Sequence, residues 1–128
     1  VLYLLESAIR PSMSSTALLG FNQYTLEHIM PKKWRNKWGT LAEEAATRRD
    51  KKLLTLGNLA IITHSLNASI RDADWTTKKQ GKGCKDGLAL CAAGLATMAS
   101  TLEKESWDEA DIAERAEWLA GKALEVWR

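Results

Sequence analysis

At 128 residues the chain has the length of one domain, able to bury roughly two-thirds of the surface its unfolded form would expose. A 45% hydrophobic and 27% charged composition excludes a disordered chain, and no apolar run approaches the roughly 18 residues of a membrane helix. The net charge of +2 conceals an asymmetry: residues 1–100 hold 14 Lys/Arg against 8 Asp/Glu, whereas residues 101–128 hold 4 against 8.

The chain opens on Val1, with Leu2, Leu4, Leu5 and Ile9 already in helical spacing. It reads as a domain excised from a longer protein, beginning in or just before a helix. That helix spans 1–10 and ends near Pro11, and the Ser/Thr-rich stretch Pro11–Gly20 is a loop. Tyr24–Met30 is a short strand of β-favouring residues. The basic loop Lys32–Gly39 carries Trp34 and Trp38, for which packing is favoured over base stacking. Thr40 and Glu43 form a capping box for a helix running to about Leu54. Leu56–Thr63 is a second strand.

From Asn67, a helix through Lys78 ends at Gly81 and Gly83. Leu88–Leu102 is an Ala-rich helix. A second capping box, Ser106 to Glu109, opens the last helix, with Ile112, Ala116, Leu119 and Ala123 at helical spacing. Trp107, Trp118 and Trp127 are expected as core anchors. The expected class is α+β, mainly helical: a small hairpin followed by a helix under further helical cover, in a single domain 1–128. Cys84 and Cys91 would stand roughly 10 Å apart on one helix, too far for a disulfide. Without a CxxC pair they make no zinc site, so a reducing cytoplasm is the expected home.

Phosphodiester hydrolysis needs a base that works near neutral pH, and an imidazole suits it. His28, shortly before Pro31, stands where a strand gives way to a loop. Mg²⁺ takes hard oxygen ligands and keeps several waters, so one carboxylate and one amide oxygen suffice; Glu27 and Asn67 can supply them. Adjacent side chains on a strand face opposite sides, so Glu27 and His28 converge only if the strand bends, which Pro31 favours. Asn58 is placed to fix the loop bearing His28. Each residue also has a plainer reading: Asn58 as a turn residue, Asn67 as a helix N-cap, Glu27 as the partner of a nearby lysine. Basic clusters flank the motif over residues 32–52 and 71–85, suited to a phosphate backbone or, more plainly, to a solvated face. His64, the other histidine, has no assigned role.

Glu27-His28-Ile29-Met30-Pro31, with Asn58 and, nine residues later, Asn67, resembles the signature of the HNH, or His-Me finger, nucleases. In that family the last ligand is often His; here it is Asn. Leu56-Gly-Asn-Leu59, the Asn67–Lys78 stretch ending Trp75-x-x-Lys78, and Ile112-x-x-Arg115-x-x-x-Leu119 followed by Val126-Trp127 narrow the likeness. They are similar to the C-terminal HNH domain of GmrSD-type modification-dependent restriction enzymes and of SspE-like phage-defence proteins. The chain departs from that pattern at Trp75, where Phe is usual, and at Arg71-Asp72, which replaces Ser-Asn.

The resemblance implies a ββα-metal core and metal-dependent nicking or cleavage of DNA, with Mg²⁺ or Mn²⁺, in restriction or anti-phage defence. His28 would be the general base, Glu27 and Asn67 the metal ligands, and Asn58 the residue positioning the His28 loop. Lys78, Lys79, Lys32, Lys33 and Arg71 would contact DNA. It also implies an N-terminal ParB-like nucleotide-hydrolysing domain in the full-length protein and a bacterial cytoplasmic setting. Two other classes stand beside this one: a non-catalytic DNA-binding module, and a structural domain that docks its acidic C-terminal helix on a partner.

Overall fold

Apolar residues at helical spacing fold Leu2–Ile9 as α1, and Arg10 leaves the helix in an extended conformation (φ −60°, ψ 138°). The ring of a following proline disfavours helical backbone in the residue before it. The computed structural model describes residues 1–10 and 18–127; positions 11–17 of the loop expected over Pro11–Gly20 lie outside the described residues.

A short 3-10 turn, Phe21–Gln23, leads into β1, Thr25–His28. β2, Leu59–Ile62, pairs with it antiparallel, in the register Thr25↔Ile62, Leu26↔Ile61, Glu27↔Ala60, His28↔Leu59. Both strands are shorter than the spans expected from the sequence. Tyr24 closes the preceding turn, the chain bends at Ile29 and Met30, and Leu56–Asn58 is a second 3-10 turn. Asn58 therefore stands just before β2, not within it.

Between the strands, Trp34–Asn36 is a further 3-10 turn and α2 covers Glu43–Lys52. The capping box expected at Thr40 does not form. The N-cap is Ala42, without a side-chain cap, which leaves Thr40 two residues upstream of the N-cap. Glu43 and Glu44 in the first turn, with Arg49, Lys51 and Lys52 in the last, complement the helix dipole instead. Both tryptophans of this loop pack, as expected: Trp34 is buried and donates to Asp50 Oδ1 at 2.9 Å, and Trp38 donates to the Ala73 carbonyl at 2.8 Å.

The helix expected from Asn67 is two helices, α3 (Ala68–Arg71) and α4 (Trp75–Gln80), with Asn67 and Asp74 as their N-caps. Asp74 Oδ1 accepts from Thr77 N at 2.9 Å; a short acidic side chain favours a cap over a helix interior. Gly81, at φ 82°, ends α4, as the sequence indicates.

The helix expected over Leu88–Leu102 is also interrupted, into α5 (Leu88–Cys91) and α6 (Ala99–Leu102). Gly94 adopts φ 75°, and the buried Glu6 carboxylate of α1 accepts from Ala96 N and Thr97 N, both at 2.8 Å. Those two amides are thus satisfied by a side chain from the far end of the chain. The last helix, α7, spans Glu109–Val126. Its capping box is Asp108 with Asp111, at 3.1 and 2.9 Å, not Ser106 with Glu109.

α7 lies so close to the Leu56–Asn58 turn that a Cβ on Gly57 would stand 2.1 Å from the Ile112 carbonyl oxygen; only glycine permits that approach. From the same helix the buried Arg115 donates to the carbonyls of Gly57 (3.0 Å), Leu59 (2.6 Å) and Thr97 (3.2 Å). Burial pulls its guanidinium down to about 10. Leu5, Ile29, Met30, Ile62, Met98, Ile112 and Leu119 fill the core between these elements. Trp107 belongs to it as expected, but Trp118 and Trp127 are 41% and 51% exposed, because the covered stripe of α7 runs through Ile112, Arg115 and Leu119. The fold is α+β and mainly helical, with seven α-helices and one two-stranded sheet among the described residues. None of these helices is long and apolar enough to cross a membrane.

Candidate active site

Glu27 and His28 are neighbours on β1, so their side chains leave opposite faces of the sheet. Glu27, opposite Ala60, points into the molecule and is 8% exposed. A carboxylate so buried needs a compensating charge. Lys78 of α4, with no exposed surface, provides it: Nζ donates to Glu27 Oε2 at 2.9 Å and also to the backbone carbonyl of His28. Glu27 is therefore a lysine partner, as its plainer reading has it. Its second oxygen, Oε1, accepts no hydrogen bond among the described residues. Lys78, expected as a DNA contact, is enclosed beneath the site and engaged on both Glu27 and the β1 backbone.

Asn58 grips the other side of the bend. It is fully buried and accepts from Met30 N (2.8 Å), donates to the carbonyls of Met30 (2.9 Å) and Leu53 (3.2 Å), and its own carbonyl accepts from Ile29 N (2.8 Å). Trp107 Nε1 also donates to Asn58 Oδ1, at 3.2 Å. The segment His28–Met30 is thus held by Lys78 at its first carbonyl and by Asn58 at its last two residues.

His28 itself is half-buried at the end of β1. Burial lowers its pKa below the ordinary 6.5, and Lys32 and Lys78 push the same way while Glu27 opposes them. These effects favour the neutral ring, the form that accepts a proton. The Lys78 ammonium is likewise lowered by burial, with the Glu27 carboxylate working against that shift.

Asn67 is exposed at the start of α3, and its Oδ1 accepts from Ser69 N (3.0 Å) and Ser69 Oγ (2.7 Å). No hydrogen bond joins it to Glu27 or His28 among the described residues. Lys32 and Lys33 are exposed beside the bend, and Lys32 is near enough to act on the His28 charge. Arg71 is exposed and sits 3.6 Å from Asp72. Lys79 is directed elsewhere, donating to the Lys104 carbonyl at 2.7 Å beside the Trp75 ring.

Among the described residues no group of three or more His, Cys, Asp or Glu side chains is arranged to hold a metal ion. The available donors, Glu27 Oε1 and Asn67 Oδ1, are hard oxygens. They fit a largely hydrated Mg²⁺ or Mn²⁺ that needs few protein ligands, provided Asn67 releases Ser69.

Three arrangements differ from or go beyond the roles that the sequence assigns to their residues, among them that of Lys78, expected as a DNA contact. Lys78 follows the buried Trp75 by three residues, a spacing that puts both on one helix face. Arg115 shares a helical stripe with Ile112 and Leu119. The third, a Thr63–His64–Asp86–Cys91 cluster, joins residues from two loops and α5, with His64 Nε2 3.2 Å from both Asp86 Oδ2 and Cys91 Sγ; no local signal announces it. Compared with known proteins, residues 1–122 match the family described as GmrSD restriction endonucleases, C-terminal domain. No curated protein sequence matches the chain.

Proposed function

Because the chain belongs to the family of GmrSD restriction endonuclease C-terminal domains, we propose that it is an HNH-type DNA endonuclease with His28 as its general base. Family membership implies a nuclease of the restriction-endonuclease kind, a hydrolase with DNA as substrate; the residue roles are our reading. His28 takes a proton from the attacking water, whose oxygen bonds to phosphorus as the 3′-oxygen departs. Asn58 and Lys78 are positioning residues that fix the His28 backbone. Glu27 and Asn67 would hold the divalent cation, Mg²⁺ or Mn²⁺, which when bound supplies neutralising charge at the phosphate and the departing 3′-oxygen. Lys32, Lys33 and Arg71 are the exposed cations suited to the DNA backbone, whereas Lys79 would have to leave the Lys104 carbonyl to join them.

One observation carries this reading: two buried polar side chains from different elements clamp the three residues His28–Met30 while leaving the imidazole half-exposed. Catalytic groups need such support to be held in one geometry. In this reading 1–128 is one domain, the C-terminal nuclease of a longer bacterial cytoplasmic defence protein with a ParB-like N-terminal domain.

Incubating supercoiled plasmid with Mg²⁺, Mn²⁺ or EDTA tests the proposal. Nicked product should form with the ions and not with the chelator. Equal cleavage in EDTA would reject the metal-dependent mechanism. The engagement of Asn67 Oδ1 by Ser69 favours a second reading, a DNA-binding module without chemistry. It predicts chelator-insensitive DNA binding and no cleavage under any of the three conditions.

A further inference from the structure

The loop 81–87 lies apart in sequence from the bend at Ile29 and Met30, and its shape is set by glycine. Gly81 and Gly83 take φ 82° and 61°, and a Cβ on Gly87 would stand 2.4 Å from Gly81 N. Lys82 and Lys85 exchange backbone hydrogen bonds of 3.0 Å across the turn, which presents Lys82, Cys84 and Lys85 to solvent.

Two side chains fasten this loop over the β2–α3 connection, the segment that carries Asn67. On one flank Lys85 Nζ donates to Ser69 Oγ at 3.0 Å, and Ser69 Oγ donates to Asn67 Oδ1 at 2.7 Å. On the other, Asp86 Oδ2 lies 3.2 Å from His64 Nε2, while His64 Nδ1 meets Thr63 Oγ1 at 3.1 Å. A cleft of about 750 Å³ separates the loop from α3 and α4, with Lys37, Lys82, Lys85, Asp72 and Asp74 on its walls. Both acids are engaged, Asp72 with Arg71 at 3.6 Å and Asp74 with Thr77 N at 2.9 Å. The three lysines make no ion pair among the described residues. Lys37 acts on the Asp74 charge, which leaves the Lys82 and Lys85 ammonium groups to take a counter-ion.

We infer that the 81–87 loop is a clamp for the DNA backbone beside the cutting site, with Lys82 and Lys85 as phosphate contacts and the His64–Asp86 pair as its latch. The inference rests on the nuclease reading and extends it to where the strand lies: across the cleft, past Asn67, towards His28. An ammonium that neutralises a phosphate releases condensed counter-ions, so each such contact steepens the fall of affinity with salt by about 0.9 in a log–log plot.

The test is fluorescence anisotropy of a labelled duplex with the whole chain in EDTA, over a series of salt concentrations. Lys82→Ala/Lys85→Ala should bind roughly tenfold more weakly, with the salt slope reduced by about two. Wild-type affinity and slope in that variant would overturn the clamp. Both lysines are exposed, so the variant keeps the fold, and Lys122→Ala on α7 serves as a remote control. Asp86→Ala should also weaken binding. Removing a negative charge alone would strengthen it, so a gain in affinity would overturn the latch.

Duplex should slow alkylation of the exposed Cys84 several-fold; Cys91 is buried and does not compete. Full reactivity of Cys84 at saturating duplex counts against the clamp. Failure here differs from failure of the nuclease reading. Wild-type binding by the lysine variant alongside His28-dependent cleavage rejects only the clamp, whereas cleavage that survives loss of His28 rejects the base.

Discussion

Lys78 keeps its ammonium without solvent contact by spending it on Glu27 and the His28 carbonyl. Lys78→Met would leave the Glu27 carboxylate buried and unpaired, and breaking a buried pair in this way costs about 3–5 kcal/mol. Urea unfolding should register that loss; a change below about 1 kcal/mol would mean that water enters and replaces the lysine. At His28 the sign of the pH effect is fixed by burial and by Lys32, both of which disfavour the protonated ring. Nicking at subsaturating DNA, where kcat/KM follows the free protein, should therefore rise with pH through a midpoint below 6.5 and level off above it. Lys32→Gln removes one of the groups that depress the pKa and should move that midpoint upward. An acid limb centred above 6.5 in the parent protein, or unmoved in the variant, would contradict this account of the base.

Among the elements, the turn Leu56–Asn58 determines whether Asn58 reaches Met30, and α7 holds that turn at backbone distance. Gly57→Ala drives a methyl group against the Ile112 carbonyl, where neither backbone yields easily. Overpacking of this kind costs typically about 1–3 kcal/mol, and it should also lower activity by displacing Asn58. Calorimetry and plasmid nicking would read the two effects together; an unaltered melting temperature would contradict the close packing.

The same elements show what the sequence does and does not disclose. The Asn67 cap and the mainly helical class follow from local chemistry and short spacings, and the structure contains both; the hydrogen bonds of Asn58 to Met30 span 28 positions and need the fold to bring them together. The break between α5 and α6 does not follow, because Glu6, which satisfies Ala96 N and Thr97 N, is some ninety positions away. Burial of Lys78 was hidden for a related reason: a lysine reads as surface until its carboxylate partner on another element is known. Trp118 lies on a helix of regular apolar period and Trp127 caps its end, but periodicity alone does not say which stripe is covered.

Across the whole molecule, the family match over residues 1–122 accords with how widely the site's supports are spread. Lys78 comes from α4, Asn58 from the turn before β2, Trp107 from the approach to α7, and Arg115 from α7 itself. The bend after His28 is therefore a product of the entire fold. The most direct test of the central claim, that His28 is the base, is the rate of supercoiled-plasmid nicking by His28→Ala, with its fold checked by circular dichroism and with imidazole added as a diffusible substitute. A fall on the order of 10²–10⁴, partly restored by imidazole, is the expected result. Nicking at the parent rate by a folded His28→Ala protein would contradict it.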